Sequence, residues 1–98
     1  PKGSFVLQIN LEGYQSQMHT KKEELRKHIK DSDHGNTYKI AHAIKSMSAN
    51  VGALKVQSIS SKIEYEGKQE KNFELNPLLL QLESAYDEFI VEFRQEYL

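Results

Sequence analysis

Cysteine is absent from the 98 residues, so neither a disulfide nor a thiolate metal site can form. An excess of either charge is nearly absent too. Thirteen Lys and Arg against fourteen Asp and Glu leave a formal net charge of −1, whereas a dedicated nucleic-acid binder carries a basic face or stripe. No apolar run approaches the ~20 residues of a membrane span, and no secretory signal is read in the chain. Proline is confined to Pro1 and Pro77. No segment alternates with the period of a strand, no internal repeat or low-complexity tract occurs, and no glycine-rich loop with lysine marks a nucleotide site. The chain does not begin with methionine, and "PKGS" at 1–4 reads as a processing or cloning remnant of a module cut from a longer protein. These absences leave one soluble domain over residues 1–98, expected in the cytoplasm and expected to be monomeric. A chain of this length buries roughly 60–65 % of its unfolded surface.

What is present is helical periodicity. Leu7, Leu11, Tyr14, Met18, Leu25 and Ile29 are spaced 4, 3, 4, 7 and 4, which at about 100° per residue keeps them on one narrow stripe. A first helix is predicted over 5–31, with Ser4 as N-cap and the Lys22 stem along the core. "DSDHGN" reads as a turn in which Asp33 or Asn36 caps a second helix over 34–51, whose inward stripe is Ile40, Ile44, Met47 and Val51. Gly52 stands just after it, where helices commonly end or backbones approach closely. Val56, Ile59 and Ile63 support a third helix over 53–66, ended by Gly67, and "KQEKNFEL" reads as a polar connection. Asn76 and Pro77 read as the N-cap and first residue of a last helix. Its core side chains are Leu79, Leu82, Tyr86, Phe89 and Phe93. The fold class expected is all-α, an antiparallel up-and-down four-helix bundle.

Within "AHAIKSMSANVGA", residues 41–53, one histidine stands apart. His42 lies roughly 190° from the mean direction of the second helix's apolar stripe, so it faces away from the core. Tyr38 and Lys39 precede it by one turn, Lys45 and Ser46 follow by one turn, and Ala49 by two. Ser46 and Ala49 are small and leave the ring in relief. Lys45 brings an ammonium toward any anion placed on that ring, with an attraction of ~1 kcal/mol at 4 Å in water. An exposed imidazole with small flanks and a cation at i+3 suits the carriage of a phosphoryl group.

The stretch resembles the signature of the histidine-containing phosphotransfer (HPt) domain of bacterial multistep phosphorelays, roughly A-H-x-(L/I)-K-(G/S) and, four or five residues on, G-A. The resemblance implies that His42 is the phosphorylated histidine and Lys45 the phosphate counter-charge. It makes Ser46 the small neighbour, with a possible hydrogen bond, where glycine is commoner. Gly52 becomes the structural glycine after the active helix, and Asp33 the acidic residue nine before the histidine. It further implies a phosphocarrier rather than an enzyme, a module of a hybrid sensor histidine kinase. Its partners would be response-regulator receiver domains, with no nucleic acid and no direct membrane contact. No cofactor would be bound by the domain itself, because Mg²⁺ is expected in the partner receiver. An ordinary imidazole is mostly neutral at pH 7, so a ring lone pair is available without a dedicated base. That suits a histidine with no acidic residue at i±3 or i±4. The docking surface is expected on the second helix at Tyr38, Lys39, Ala49 and Asn50, with Met18 or Lys22 of the first helix as further candidates, although Met18 and Tyr14 fit the core better.

His19, His28 and His34 are read as carrying no chemistry, although His28 and His34 straddle a turn and could approach one another. No His-x₃-His pair shares a helix, and no metal site is expected. The carboxylates of "EGKQEKNFE" read as solvated. The competing reading is a four-helix adaptor that binds a protein through the second helix without phosphorylation. A kinase dimerisation domain would show an acidic residue directly after the histidine and a proline soon after it; Ala43 and the next proline, Pro77, argue against that.

Overall fold

The protein is described by a computed structural model covering residues 2–70 and 74–98, with side chains described from Asn10 onward. Four helices run through it: α1 Lys2–Lys30, α2 His34–Asn50, α3 Leu54–Lys68 and α4 Leu75–Tyr97. At 1.5 Å rise per residue, the 29 residues of α1 span about 44 Å, which sets the 47 Å long axis of the molecule.

Side-chain pairs between neighbours establish the antiparallel order. Arg94 Nη2 donates to Gln15 Oε1 at 3.0 Å and Arg26 Nη2 to Glu83 Oε1 at 2.8 Å. Eleven residues forward on α1 (26 − 15) therefore match eleven back on α4 (94 − 83). Tyr14 and Ser48 share a buried 2.8 Å hydrogen bond between α1 and α2, and Lys55 pairs with Glu88 at 3.0 Å between α3 and α4. Helix α2 packs on both α1 and α3, and α4 closes the ring against α3 and α1. This is the up-and-down four-helix bundle expected from the periodicity.

The apolar stripes converge as the spacing requires. Leu11, Tyr14, Met18, Leu25 and Ile29 are buried, as are Val56, Ile59, Ile63, Leu79, Leu82, Tyr86 and Phe93. Phe89 packs partly buried against them. The side chains of Leu7 and Ser4 lie outside those described. Lys22 is half-buried with its ammonium 4.2 Å above the Tyr86 ring, so its stem does line the core.

Several boundaries differ from the sequence expectation. Because α1 is already helical at Lys2, Ser4 stands inside the helix and not before it. Asn76 does not cap α4. The helix begins at Leu75, whose side chain is completely buried and draws the chain into helix before Asn76; Glu74 holds the cap position without a side-chain hydrogen bond. Pro77 stays within the first turn, where its missing N–H is not needed. Gly67 does not end α3, which continues to Lys68. A Cβ on Gly67 would stand 3.2 Å from Tyr38 Cβ and 3.4 Å from Tyr38 N, so the glycine marks a close approach of α3 to α2.

Helix α3 instead turns off through Glu70, at φ 57°, whose N–H reaches Gly67 O at 3.1 Å. A non-glycine residue in this left-handed region costs roughly 1–2 kcal/mol, and a carboxylate at a helix C-terminus opposes the helix dipole. Glu70→Gly is therefore expected to stabilise the fold by about 0.5–1 kcal/mol after glycine's greater unfolded-state entropy is deducted. Thermal unfolding followed by circular dichroism should show a Tm higher by about 3–6 °C; an unchanged or lower Tm would contradict the assignment of strain.

Candidate functional site

Helix α2 carries the site and is held at both ends. Asp33 is its N-cap: the carboxylate accepts from Asn36 N at 3.1 Å and from Asn36 Nδ2 at 2.7 Å. These bonds, the side-chain one foremost, hold the Asp33 carboxyl below the usual carboxylate range. Of the two sequence candidates for this cap, Asp33 is the one used. At the other end Gly52 N–H reaches Ala49 O at 3.2 Å and Ala53 N–H reaches Ser48 O at 2.8 Å, a Schellman motif. Gly52 stands at φ 76°, which explains glycine there.

The inward face of α2 is not quite the one read from its large apolar residues. Fully buried are Thr37, Ala41, Ile44 and Ser48, while Ile40, Met47 and Val51 are only partly covered. Small residues face inward because neighbouring helices come close. From the mean of these four directions His42 lies about 130° away rather than 190°. The ring therefore leans from the open face toward α3, yet its side chain is 61 % exposed.

That lean brings it to Glu64. His42 Nδ1 lies 3.1 Å from Glu64 Oε2, the same oxygen accepts from Lys45 Nζ at 3.0 Å, and Lys68 Nζ stands 3.5 Å from Glu64 Oε1. The Glu64 side chain is only 12 % exposed. Burial pushes its carboxyl upward, but hydrogen bonds and charge from Lys45 and His42 outweigh that, leaving it below the usual range. An ionised carboxylate can only accept, so the ring nitrogen facing it must carry hydrogen. In a neutral imidazole that hydrogen is the ring's only one, so such a ring has its lone pair on Nε2. The expectation of a histidine without an acidic partner holds along α2 alone; α3 supplies the acid.

Lys45 is likewise not a free cation but is engaged with Glu64. Lys68, which the sequence reading did not single out, adds a second ammonium and stands 5.4 Å from the centroid of the Tyr38 ring. Ser46, Lys39, Ala49 and Asn50 are exposed on the His42 side of α2, and Tyr38 is half-buried. On α1, Met18 is wholly buried and Lys22 turns to Tyr86 of α4, so neither belongs to this surface. The part of α1 adjacent to α2 presents Asn10, Gly13 and Gln17, which border a groove of ≈ 470 Å³ closed by Met47, Asn50 and Val51.

The remaining histidines stay apart from the site. His19 is exposed, and His28 lies 3.7 Å from Asp33 across the α1–α2 turn. Among the described residues no group of three or more histidine and carboxylate side chains could hold a metal ion. Glu64 left one trace in the sequence: a carboxylate, like Glu66 on the other side, flanking the α3 stripe of Val56, Ser60, Ile63 and Gly67, all buried. A charge in that position needs a partner.

Compared with known proteins, residues 10–95 match the model of the Hpt domain. No curated protein and no solved structure gives a significant match.

Proposed function

Because the chain belongs to the Hpt domain family, and its role is therefore histidine phosphotransfer in a phosphorelay, we propose that His42 is the phosphoacceptor. It takes the group from the phospho-aspartate of one receiver domain and passes it to the aspartate of another. The observation that carries this reading is the ring itself: its side chain is 61 % exposed, and with Nδ1 3.1 Å from Glu64 Oε2 it is Nε2 that stays available to a partner. Phosphoryl transfer relies mainly on in-line positioning and charge stabilisation, and an Nε2 on an open helix face is accessible to an incoming phosphorus. Ser46, one turn on, is small enough to let the receiver approach. Lys39, Ala49 and Asn50, with the groove beside Gly13 and Gln17, form the docking surface. The partner brings the rest of the pocket, including any Mg²⁺, and this domain remains a carrier.

Labelled phospho-receivers incubated with the domain should leave an acid-labile, base-stable label on it, the signature of phosphohistidine. A label stable to acid would refute the assignment. Lys45 supports the transfer by exchanging its Glu64 contact for a phosphoryl oxygen. Lys45→Ala is expected to slow transfer by about tenfold, the worth of one charge-assisted contact. The fold should survive, because Lys68 still neutralises Glu64. Stopped transfer assays with wild-type and variant protein measure this directly; equal rates would remove Lys45 from the mechanism.

A further inference from the structure

Every exposed large apolar side chain among the described residues stands on α3 or on α4 and its cap: Leu54, Tyr65, Leu80, Val91, Tyr97 and Leu98. Single exposed leucines are ordinary on a protein surface, but four of these are arranged. Leu54 and Tyr65 are eleven residues apart (65 − 54), and so are Leu80 and Val91 (91 − 80). Eleven residues make three turns, so each pair shares one outward face and is about 16 Å long. From this matched pattern we infer that the two faces are covered by a second copy of this chain. The protein forms a reversible two-fold dimer in which α3 of each copy lies on α4 of the other.

The register of the helices fits such a pairing. The 3.0 Å contact of Lys55 with Glu88 fixes the level of α3 against α4. Counted from it in opposite directions, Leu54 stands level with Phe89 and Tyr65 with Leu78. Val91 and Leu80 each lie two residues from those levels, about 3 Å along the axis and in the same sense. A two-fold axis parallel to the helices keeps these heights and sets α3 opposite the partner's α4. Leu54 then meets the partner's Val91, Tyr65 meets the partner's Leu80, and each contact occurs twice. Between the large residues the faces are small: Ser58 and Ser61 line a groove on α3, and Ser84 lines one on α4.

Charge favours α3 on α4 over either helix on itself. Lys55, Lys62 and Lys68 against Glu64 and Glu66 leave α3 at +1. Arg94 against Glu83, Asp87, Glu88, Glu92 and Glu96 leaves α4 at −4. Among the described residues Lys62, Asp87 and Glu92 enter no ion pair within the chain. The overlap is only as long as the 15 residues of α3, about 22 Å. That places the contact at the small end of specific interfaces, below ~1,200 Å² in total, with a Kd on the order of 10–100 μM. The α3–α4 side lies across the ring of helices from the α1–α2 side, so the His42 face of each copy stays open.

Sedimentation equilibrium over a concentration series tests the dimer, and the absence of cysteine makes its geometry testable too. The average mass of the wild type is expected to rise toward twice the monomer's. Leu54→Ala/Leu80→Ala, which changes only exposed side chains, should raise the Kd about tenfold or more. Leu54→Cys and Val91→Cys are then prepared separately, mixed and mildly oxidised. The mixture should form a covalent dimer about tenfold faster than either variant alone, because only the mixed pair faces across the interface. A wild type that stays monomeric up to about 1 mM would overturn the inference. So would a dimer whose Kd ignores the double alanine change, or one in which Leu54→Cys cross-links to itself as fast as to Val91→Cys.

Discussion

His42→Gln takes up no phosphoryl group from a phospho-receiver, while its helical content and Tm stay close to those of the wild type. That is the largest functional effect expected of any single substitution in this chain. Glutamine matches the length of the side chain, and its amide can still donate to Glu64, but the amide nitrogen lone pair is delocalised and is no nucleophile. The ring is mostly solvent-exposed and fills no core volume, so the change belongs with surface substitutions, which usually alter stability by no more than ~0.5 kcal/mol. His19, His28 and His34 remain in the variant and act as internal controls. The experiment measures transferred label per mole of protein beside circular dichroism of the same samples. Label retained on His42→Gln would move the nucleophile to another residue. Loss of label together with loss of helix would leave the comparison to a second variant, His42→Asn.

Gly67→Leu lowers the Tm by about 10 °C, the largest structural effect expected outside the core. The added Cβ would meet Tyr38 at 3.2 Å, with the Tyr38 backbone N at 3.4 Å and Cα at 3.5 Å behind it. Backbone cannot swing aside as a flexible side-chain end can, so the two helices must separate. Overpacking of this kind costs typically 1–3 kcal/mol, against which leucine's better helix propensity returns somewhat under 1 kcal/mol. The net of about 1–2 kcal/mol corresponds to roughly 5–15 °C for a domain of this size. Gly67 stands one turn beyond Glu64 on α3, so the same separation draws the carboxylate away from His42. Slower transfer should therefore accompany the lower Tm. Thermal melts and transfer rates on one preparation test both. A Tm equal to the wild type's would mean that the helices yield without cost and that the glycine is dispensable.

Much of the bundle was legible in the spacing of apolar residues, because a helix of this length has to bury one stripe and can do so only against other helices. The stripes on α1 and α4 are long and rich in large side chains, and they proved to be core almost throughout. Helix α2 was harder, because Thr37, Ala41 and Ser48 are buried for their small size, a property that hydrophobic periodicity does not register. The start of α4 differs for a related reason. Asn76 has the right chemistry for an N-cap, but the burial of Leu75 outweighs the ~1 kcal/mol that a cap contributes. A glycine near the end of a helical stripe has the same signature whether it ends the helix or makes a close contact, and only the packing against Tyr38 shows that Gly67 does the latter.

Residues 41–53 by themselves determined which imidazole is presented and what flanks it, since exposure, small neighbours and a cation at i+3 all follow from positions along one helix. Only the tertiary structure decided which charged groups surround the ring. Glu64 and Lys68 stand 22 and 26 residues downstream of His42 (64 − 42 and 68 − 42) on an antiparallel helix. No period within α2 refers to them. The partner of Nδ1 and the occupation of Lys45 both depend on a carboxylate whose position is set by the packing of α3 on α2, where Gly67 leaves room for Tyr38.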